Sequence, residues 1–127
     1  MYQEGKGIDI DYLAAVKWYK LASENGDVRG ERSLAYMYCC GLGVKQDFYE
    51  AACYYKKAAD RGDSLSQYWM GVFYRTGLGV ESADEDKSIY WYMLSAKSGN
   101  IDAQRELGHM FYRWGSEGIR DVNHARL

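Results

Sequence analysis

A motif that returns every 36 or 37 residues constrains the fold of this chain more than any other feature. The motif is a Gly-x-Gly triplet with a tyrosine three residues before it, and its copies begin at Gly5, Gly41 and Gly77. A second marker, a glycine followed by Asp or Asn, falls between the copies, at Gly26, Gly62 and Gly99. Self-similarity at such a period is typical of stacked repeats. The 127 residues therefore contain about three and a half copies of one unit.

Between the glycine markers, apolar residues recur with helical spacing. In the segment 28–40, Leu34, Ala35 and Tyr38 lie with Gly30 on one face of a helix. The same spacing elsewhere predicts six full helices, at about 11–25, 28–40, 47–61, 64–76, 84–98 and 101–114, and a seventh that begins near residue 121. Aspartates stand where every second helix would begin and are expected to be N-caps: Asp11, Asp47, Asp84 and Asp121.

The helix pattern predicts an all-α fold, an α/α solenoid of stacked antiparallel helix pairs, because neither helix of a pair can bury its apolar face alone. We expect one repeat domain over residues 1–127, divided into a partial repeat 1–26, repeats 27–62 and 63–99, and a partial repeat 100–127. The half-units at both ends suggest a fragment of a longer array. Helix faces left uncapped at the ends favour end-to-end self-association.

The residues at fixed positions of the unit resemble a known family. The second unit carries Leu34, Ala35, Tyr38, Gly41, Gly43, Val44, Asp47, Ala51, Tyr55, Ala58, Ala59 and Gly62, and the third carries Met70, Gly71, Tyr74, Gly77, Gly79, Val80, Asp84, Trp91, Tyr92, Ala96 and Gly99. This pattern is similar to that of the Sel-like (Sel-one-like) repeat family, helical relatives of the tetratricopeptide repeat. The last unit departs from it, since Glu117 stands where a glycine is expected.

The resemblance implies a scaffold or adaptor that holds other proteins together. Similar proteins act in signalling, in membrane-protein degradation complexes and in bacterial host interaction, and some bacterial members resemble immunity proteins paired with secreted toxins. A cysteine-rich branch carries paired cysteines across its helix junctions. Ala59 and Glu31 stand at such positions here, so the chain does not resemble that branch.

Charge and cysteine content narrow the classes of partner and compartment. With 16 basic and 18 acidic residues the chain lacks the basic excess of a nucleic-acid-binding domain. No run of 18 or more apolar residues exists, which argues against membrane insertion. The odd, unpatterned set of Cys39, Cys40 and Cys53 favours a reducing compartment such as the cytoplasm. A bridge from Cys53 to one of the other two stays open if the protein is exported.

Motifs that carry catalysis or bind a cofactor or metal are not found. The Gly-x-Gly triplets lack the third glycine of a dinucleotide-binding loop, since Gln46 and Ser82 occupy its place. His109 and His124 lie too far apart for a metal cluster. The acidic run from Asp84 to Asp86 suits a helix start better than a pair of catalytic carboxylates. We therefore predict no enzyme activity, no cofactor and no metal, with an accessory or regulatory subunit of an enzyme as an alternative role.

One face of the first helix in each pair is predicted to line a concave groove that binds another protein or a peptide. The residues opposite the core positions are mixed aromatic, apolar and charged, as in an interface with a charged rim. The predicted partner-binding residues are Arg29, Arg32, Tyr36, Leu65, Tyr68, Trp69, Val72, Arg105 and His109. In this hypothesis Tyr68, Trp69 and Val72 form the centre, and Arg32 and Arg105 select acidic groups. The alternative is that Tyr68 and Trp69 pack between repeats, as is expected for Tyr19, Tyr55 and Tyr92.

Overall fold

The computed structural model of the protein describes residues 4–126, and the side chains of residues 11–115. These residues form six helices and no strand. The helices are α1 (Glu4–Glu24), α2 (Val28–Cys40), α3 (Phe48–Asp60), α4 (Ser64–Thr76), α5 (Glu85–Lys97) and α6 (Ile101–Arg126). The extensive contacts between helices all join helices that are consecutive in the chain. The predicted all-α solenoid fold is confirmed.

Aspartate side chains begin the helices as the sequence predicts. The carboxylate of Asp47 accepts hydrogen bonds from the backbone N–H groups of Tyr49 and Glu50, and that of Asp84 accepts one from Lys87. Asp27 and Asp63 cap α2 and α4 in the same way. Each bond satisfies an N–H group that has no partner inside the helix. The caps therefore fix where each helix of a pair starts.

The turn within each helix pair requires glycine because it lies directly against the preceding repeat. Gly79 has a φ of +69°, and a Cβ atom added there would lie 2.4 Å from the backbone oxygen of Phe48. Gly43 repeats this contact one unit earlier, since a Cβ atom added there would lie 2.6 Å from the backbone oxygen of Tyr12. Any side chain at these positions would push the turn away from the neighbouring helix. The Gly-x-Gly motif thus sets the contact between successive repeats.

The structure corrects two predicted helix ends. At each of them the glycine turn cannot pack on a preceding repeat. Helix α1 begins at Glu4 instead of 11, so Gly5 lies inside a helix and Asp11 is not an N-cap. Within residues 4–126, no helix precedes residues 5–7 for a turn there to pack on. Helix α6 continues to Arg126, so the predicted end at 114 and the separate seventh helix with Asp121 as its N-cap are wrong. Glu117 replaces the second glycine there, and a left-handed turn is costly for it.

The core follows the axis of the stack and is built largely from small residues between large aromatic ones. Tyr55 and Tyr92 are almost completely buried, each in the second helix of a pair. Alanines at the same level let the helices approach, and Gly71 is so close to Tyr92 that a Cβ atom would lie 2.6 Å from its ring. One face of α2 and α4 stays partly exposed and lines the site described next.

Candidate partner-binding groove

A groove lies between α1, α2 and α4, and its cavity measures about 620 Å³. Its lining is mostly apolar and aromatic and combines residues from four helices and one turn. The lining residues are Tyr12, Tyr19, Arg32, Ser33, Tyr36, Met37, Leu42, Tyr55, Leu65 and Trp69. We call this surface the aromatic groove. A cavity of this size and composition is typical of a site that receives side chains of a ligand.

Trp69 joins the groove to the core. Its ring stacks on Tyr55, with 6.0 Å between the ring centroids and 18° between the planes. Tyr55 is buried, and this burial raises the pKa of its hydroxyl above the ordinary value. Tyr55 is therefore neutral at physiological pH. The stack holds the half-buried Trp69 in a fixed orientation where it lines the groove.

Tyr36 and Leu65 supply the exposed apolar surface of the groove. Tyr36 is 53% exposed on α2, and Leu65 is 41% exposed at the start of α4. The pKa of the Tyr36 hydroxyl is raised, chiefly through its hydrogen bond with the thiol of Cys40. Tyr36 is therefore neutral at physiological pH. Two large side chains held open to solvent beside an ordered tryptophan make this part of the groove suitable for contact with another molecule.

Charged groups at the groove are already paired within the chain. An Nη atom of Arg32 donates to Asp63, at 2.5 Å, and Asp63 also accepts from the backbone and hydroxyl of Ser66. The ion pair joins α2 to the first turn of α4 and so fixes the relative position of two repeats. The Arg32 side chain is 30% exposed, which leaves other guanidinium donors accessible. Arg29, near the start of α2, is exposed.

The rest of the predicted binding face lies outside the aromatic groove. Tyr68 and Val72 are half-buried and pack against the cluster of Tyr92, Ala103 and Met110. Arg105 forms an ion pair with Asp102 on the surface of α6, and His109 is exposed on the same helix. Four of the nine predicted residues line the groove together: Arg32, Tyr36, Leu65 and Trp69.

Sequence reasoning missed the tyrosines that the second helices contribute. Tyr12 and Tyr19 of α1 and Tyr55 of α3 reach the groove from the neighbouring row of helices. The sequence predicts that Tyr19 and Tyr55 pack between helices, with their hydroxyls reaching the surface. The available signal is an aromatic pair that every copy repeats, at Trp18-Tyr19, Tyr54-Tyr55 and Trp91-Tyr92. A tyrosine in every copy places a hydroxyl at the same level of the stack.

The described residues contain few groups suited to metal binding or nucleophilic chemistry. Within residues 11–115 no group of three or more His, Cys, Asp or Glu side chains could hold a metal ion. Cys39, Cys40 and Cys53 are free thiols, and burial raises the pKa of the Cys39 thiol to about 11. This thiol is therefore protonated and weakly nucleophilic near neutral pH. Among residues 4–126 no helix has both the length and the apolar character needed to cross a bilayer.

This chain is similar in sequence to a known repeat family and similar in structure to solved proteins. The sequence model of the family described as Sel1 repeat matches residues 1–27, 28–63, 64–100 and 101–126. Among curated proteins, none matches the chain.

The solved structures that share its fold include the following three. One is a protective antigen present in uropathogenic Escherichia coli strains, displaying an SLR fold. It is 36% identical, with a TM-score of 0.78, over 80% of this chain and 22% of the antigen. This chain thus spans about a fifth of that protein's length. A Sel1 repeat protein from Oxalobacter formigenes is 33% identical, with a TM-score of 0.72, over 74% of this chain and 70% of that protein. Cysteine rich protein B of Helicobacter pylori is 28% identical, with a TM-score of 0.66, over 69% of this chain and 65% of that protein.

Proposed function

Since this chain belongs to the Sel1 repeat family, we propose that it binds a peptide segment of a partner protein in the aromatic groove. Sel1 repeat proteins are generally non-catalytic scaffolds for protein–protein interaction. The observation that carries the proposal is the placement of the exposed side chains of Tyr36 and Leu65 beside the ordered ring of Trp69, in one cavity of about 620 Å³.

The groove suits binding because its parts are held in place before a partner arrives. Trp69 is stacked on Tyr55, and the Arg32–Asp63 ion pair fixes α4 against α2. Aromatic rings have few rotatable bonds, so contact with them costs little conformational entropy. An apolar side chain of the partner would bury itself against Tyr36, Leu65 and Trp69. The accessible donors of Arg32 would bind a backbone carbonyl or a carboxylate of the same segment.

The test uses peptides selected from a random display library for binding to the wild-type chain. In isothermal titration calorimetry, Tyr36→Ala and Leu65→Asp should each weaken the binding of the selected peptides by about 2 kcal/mol, or about 30-fold in Kd. Neither side chain belongs to the buried core, so helix content and Tm should stay close to the wild type. Tyr49→Ala is the matched control, because Tyr49 is 68% exposed on α3 and does not line the groove. The proposal fails if the selected peptides bind both groove variants as tightly as the wild type.

Trp69→Ala would give a mixed result. The substitution removes groove surface and also the stacking on Tyr55 and the packing against Phe73. We therefore expect a lower Tm together with weaker peptide binding, which makes Tyr36 and Leu65 the sharper probes.

A further inference from the structure

The two ends of the stack expose complementary halves of one interface. Trp18, Tyr54 and Trp91 occupy the same position in α1, α3 and α5. Tyr54 stacks on Tyr38 of α2, with 5.9 Å between ring centroids, and Trp91 is 7% exposed in the core cluster against which Tyr74 of α4 packs. Trp18 is 61% exposed. Trp18 is more exposed because α2 and α4 cover the corresponding residues on α3 and α5, whereas no helix among residues 4–126 covers Trp18 on α1.

A second position on α1 gives the same comparison. Leu21 of α1 corresponds to Leu94 of α5. Leu94 is half-buried and packs against the core cluster that includes Trp91, whereas Leu21 is 47% exposed. We call Trp18 and Leu21 the α1 end face.

The opposite half lies on α6. Ala35, Gly71 and Gly108 correspond in α2, α4 and α6. Ala35 is fully buried and Gly71 lies against the ring of Tyr92, but a Cβ atom at Gly108 would have no neighbour within 4 Å. Phe111, which corresponds to Tyr38 and Tyr74, is 48% exposed, and the adjacent Tyr112 is 77% exposed. We call Gly108, Phe111 and Tyr112 the α6 end face.

We propose that a second copy of this chain covers these faces, with α1 of one copy packing on α6 of the next. The contact continues the interface that α3 makes with α2 and α5 makes with α4. Trp18 would lie beside Phe111 as Tyr54 lies beside Tyr38, and Tyr19 would cover Gly108 as Tyr92 covers Gly71. The two surfaces differ, so the interface is heterologous and adds copies head to tail.

Helix lengths fit this contact. Helix α6 continues 13 residues beyond 113, the position that corresponds to the end of α2, and α1 begins eight residues before 12, the position that corresponds to the start of α3. In an antiparallel pair, a C-terminal extension of one helix and an N-terminal extension of the other point in the same direction. The extensions would therefore lengthen the contact between the copies instead of colliding.

The experiment is sedimentation velocity of the full chain over a range of concentrations. The wild type should gain mass with concentration. Trp18→Glu and Phe111→Glu should each stay monomeric, because a charge buried in an apolar contact is costly. Mixing the two variants is the decisive step. Trp18→Glu keeps an intact α6 end face and Phe111→Glu keeps an intact α1 end face, so an equimolar mixture should form a 1:1 dimer and nothing larger.

Tyr90→Glu is the control, since Tyr90 is 57% exposed on α5 and belongs to neither end face, and it should associate like the wild type. Circular dichroism checks that each variant keeps its helices. The proposal is overturned if the wild type is monomeric at every concentration, if either single variant still associates, or if the mixture stays monomeric. Association is measured without any peptide, so its failure leaves the proposed function of the aromatic groove standing.

Discussion

Glu31 shows how one residue can depart from the repeat and still be accommodated. Gln67 and Gln104 stand at the corresponding positions of α4 and α6, and each donates its amide to a carbonyl at the end of the preceding helix. A carboxylate cannot donate to a carbonyl. Glu31, 1% exposed, instead accepts from Nε of Arg61 at 3.0 Å. The pair joins α2 to the end of α3.

Removal of Arg61 should therefore be worse for folding than neutralisation of Glu31. Arg61→Ala leaves a buried carboxylate without its cation and should lower the free energy of unfolding by about 3 kcal/mol. Glu31→Gln keeps an acceptor for Arg61 and buries no charge, so it should cost about 1 kcal/mol. Urea denaturation of both variants gives the comparison. Equal losses would mean that the contact matters through packing and not through charge.

The sequence could predict part of the groove at this scale. Helical spacing places Tyr36, Leu65 and Trp69 on one side of α2 and α4, and the structure brings them together. Spacing along one helix says nothing about the residues that reach the groove from α1 and α3. It also could not predict that Arg32 pairs with Asp63, because the two are 31 residues apart and meet only when repeats stack.

At the scale of the element, the sequence predicts the central helices well. The predicted segments 28–40 and 64–76 coincide with α2 and α4, and α3 and α5 differ by one residue at each end. Local signals suffice there because an aspartate begins each helix and a glycine follows it. The error at α1 concerns a turn that needs a preceding helix, which is a property of the stack and not of the segment. The error at α6 concerns Glu117, which the sequence already shows at the place of the second glycine.

The turn at Gly79 should be the most sensitive position of its kind. Gly79→Ala adds a left-handed alanine and a contact of 2.4 Å with rigid backbone, so it should cost about 3 kcal/mol or more. Gly62→Ala is the matched control. Gly62 also has a positive φ, but a Cβ atom there meets nothing within 4 Å, and the expected cost is about 1 kcal/mol. Thermal unfolding of both variants tests the difference, and equal shifts in Tm would contradict it.

At the scale of the whole molecule, the free energy of unfolding is approximately a sum of contributions from neighbouring helices. Among residues 4–126, helices α2 to α5 each make extensive contacts with two others, whereas α1 and α6 each make them with one. In such an array the free energy of local opening rises with the number of covered faces.

Hydrogen exchange should therefore be slower in α2 to α5 than in α1 and α6. The measurement is exchange mass spectrometry with peptides that resolve each helix. It is made on Trp18→Glu so that contacts between copies do not protect the ends. Uniform protection along the chain would instead indicate a single cooperative unit.

The extensive contacts join consecutive helices, and this also determines how the molecule would respond to tension. Force applied at the two ends of the array would pass through the helix interfaces one after another, because every extensive contact among residues 4–126 joins consecutive helices. The weakest interface would yield first while the others remain intact. The array would lengthen in steps of about one helix or one pair and shorten again on release. A partner bound in the proposed site between α1, α2 and α4 would then be released when those interfaces open, and its attachment would be sensitive to pulling.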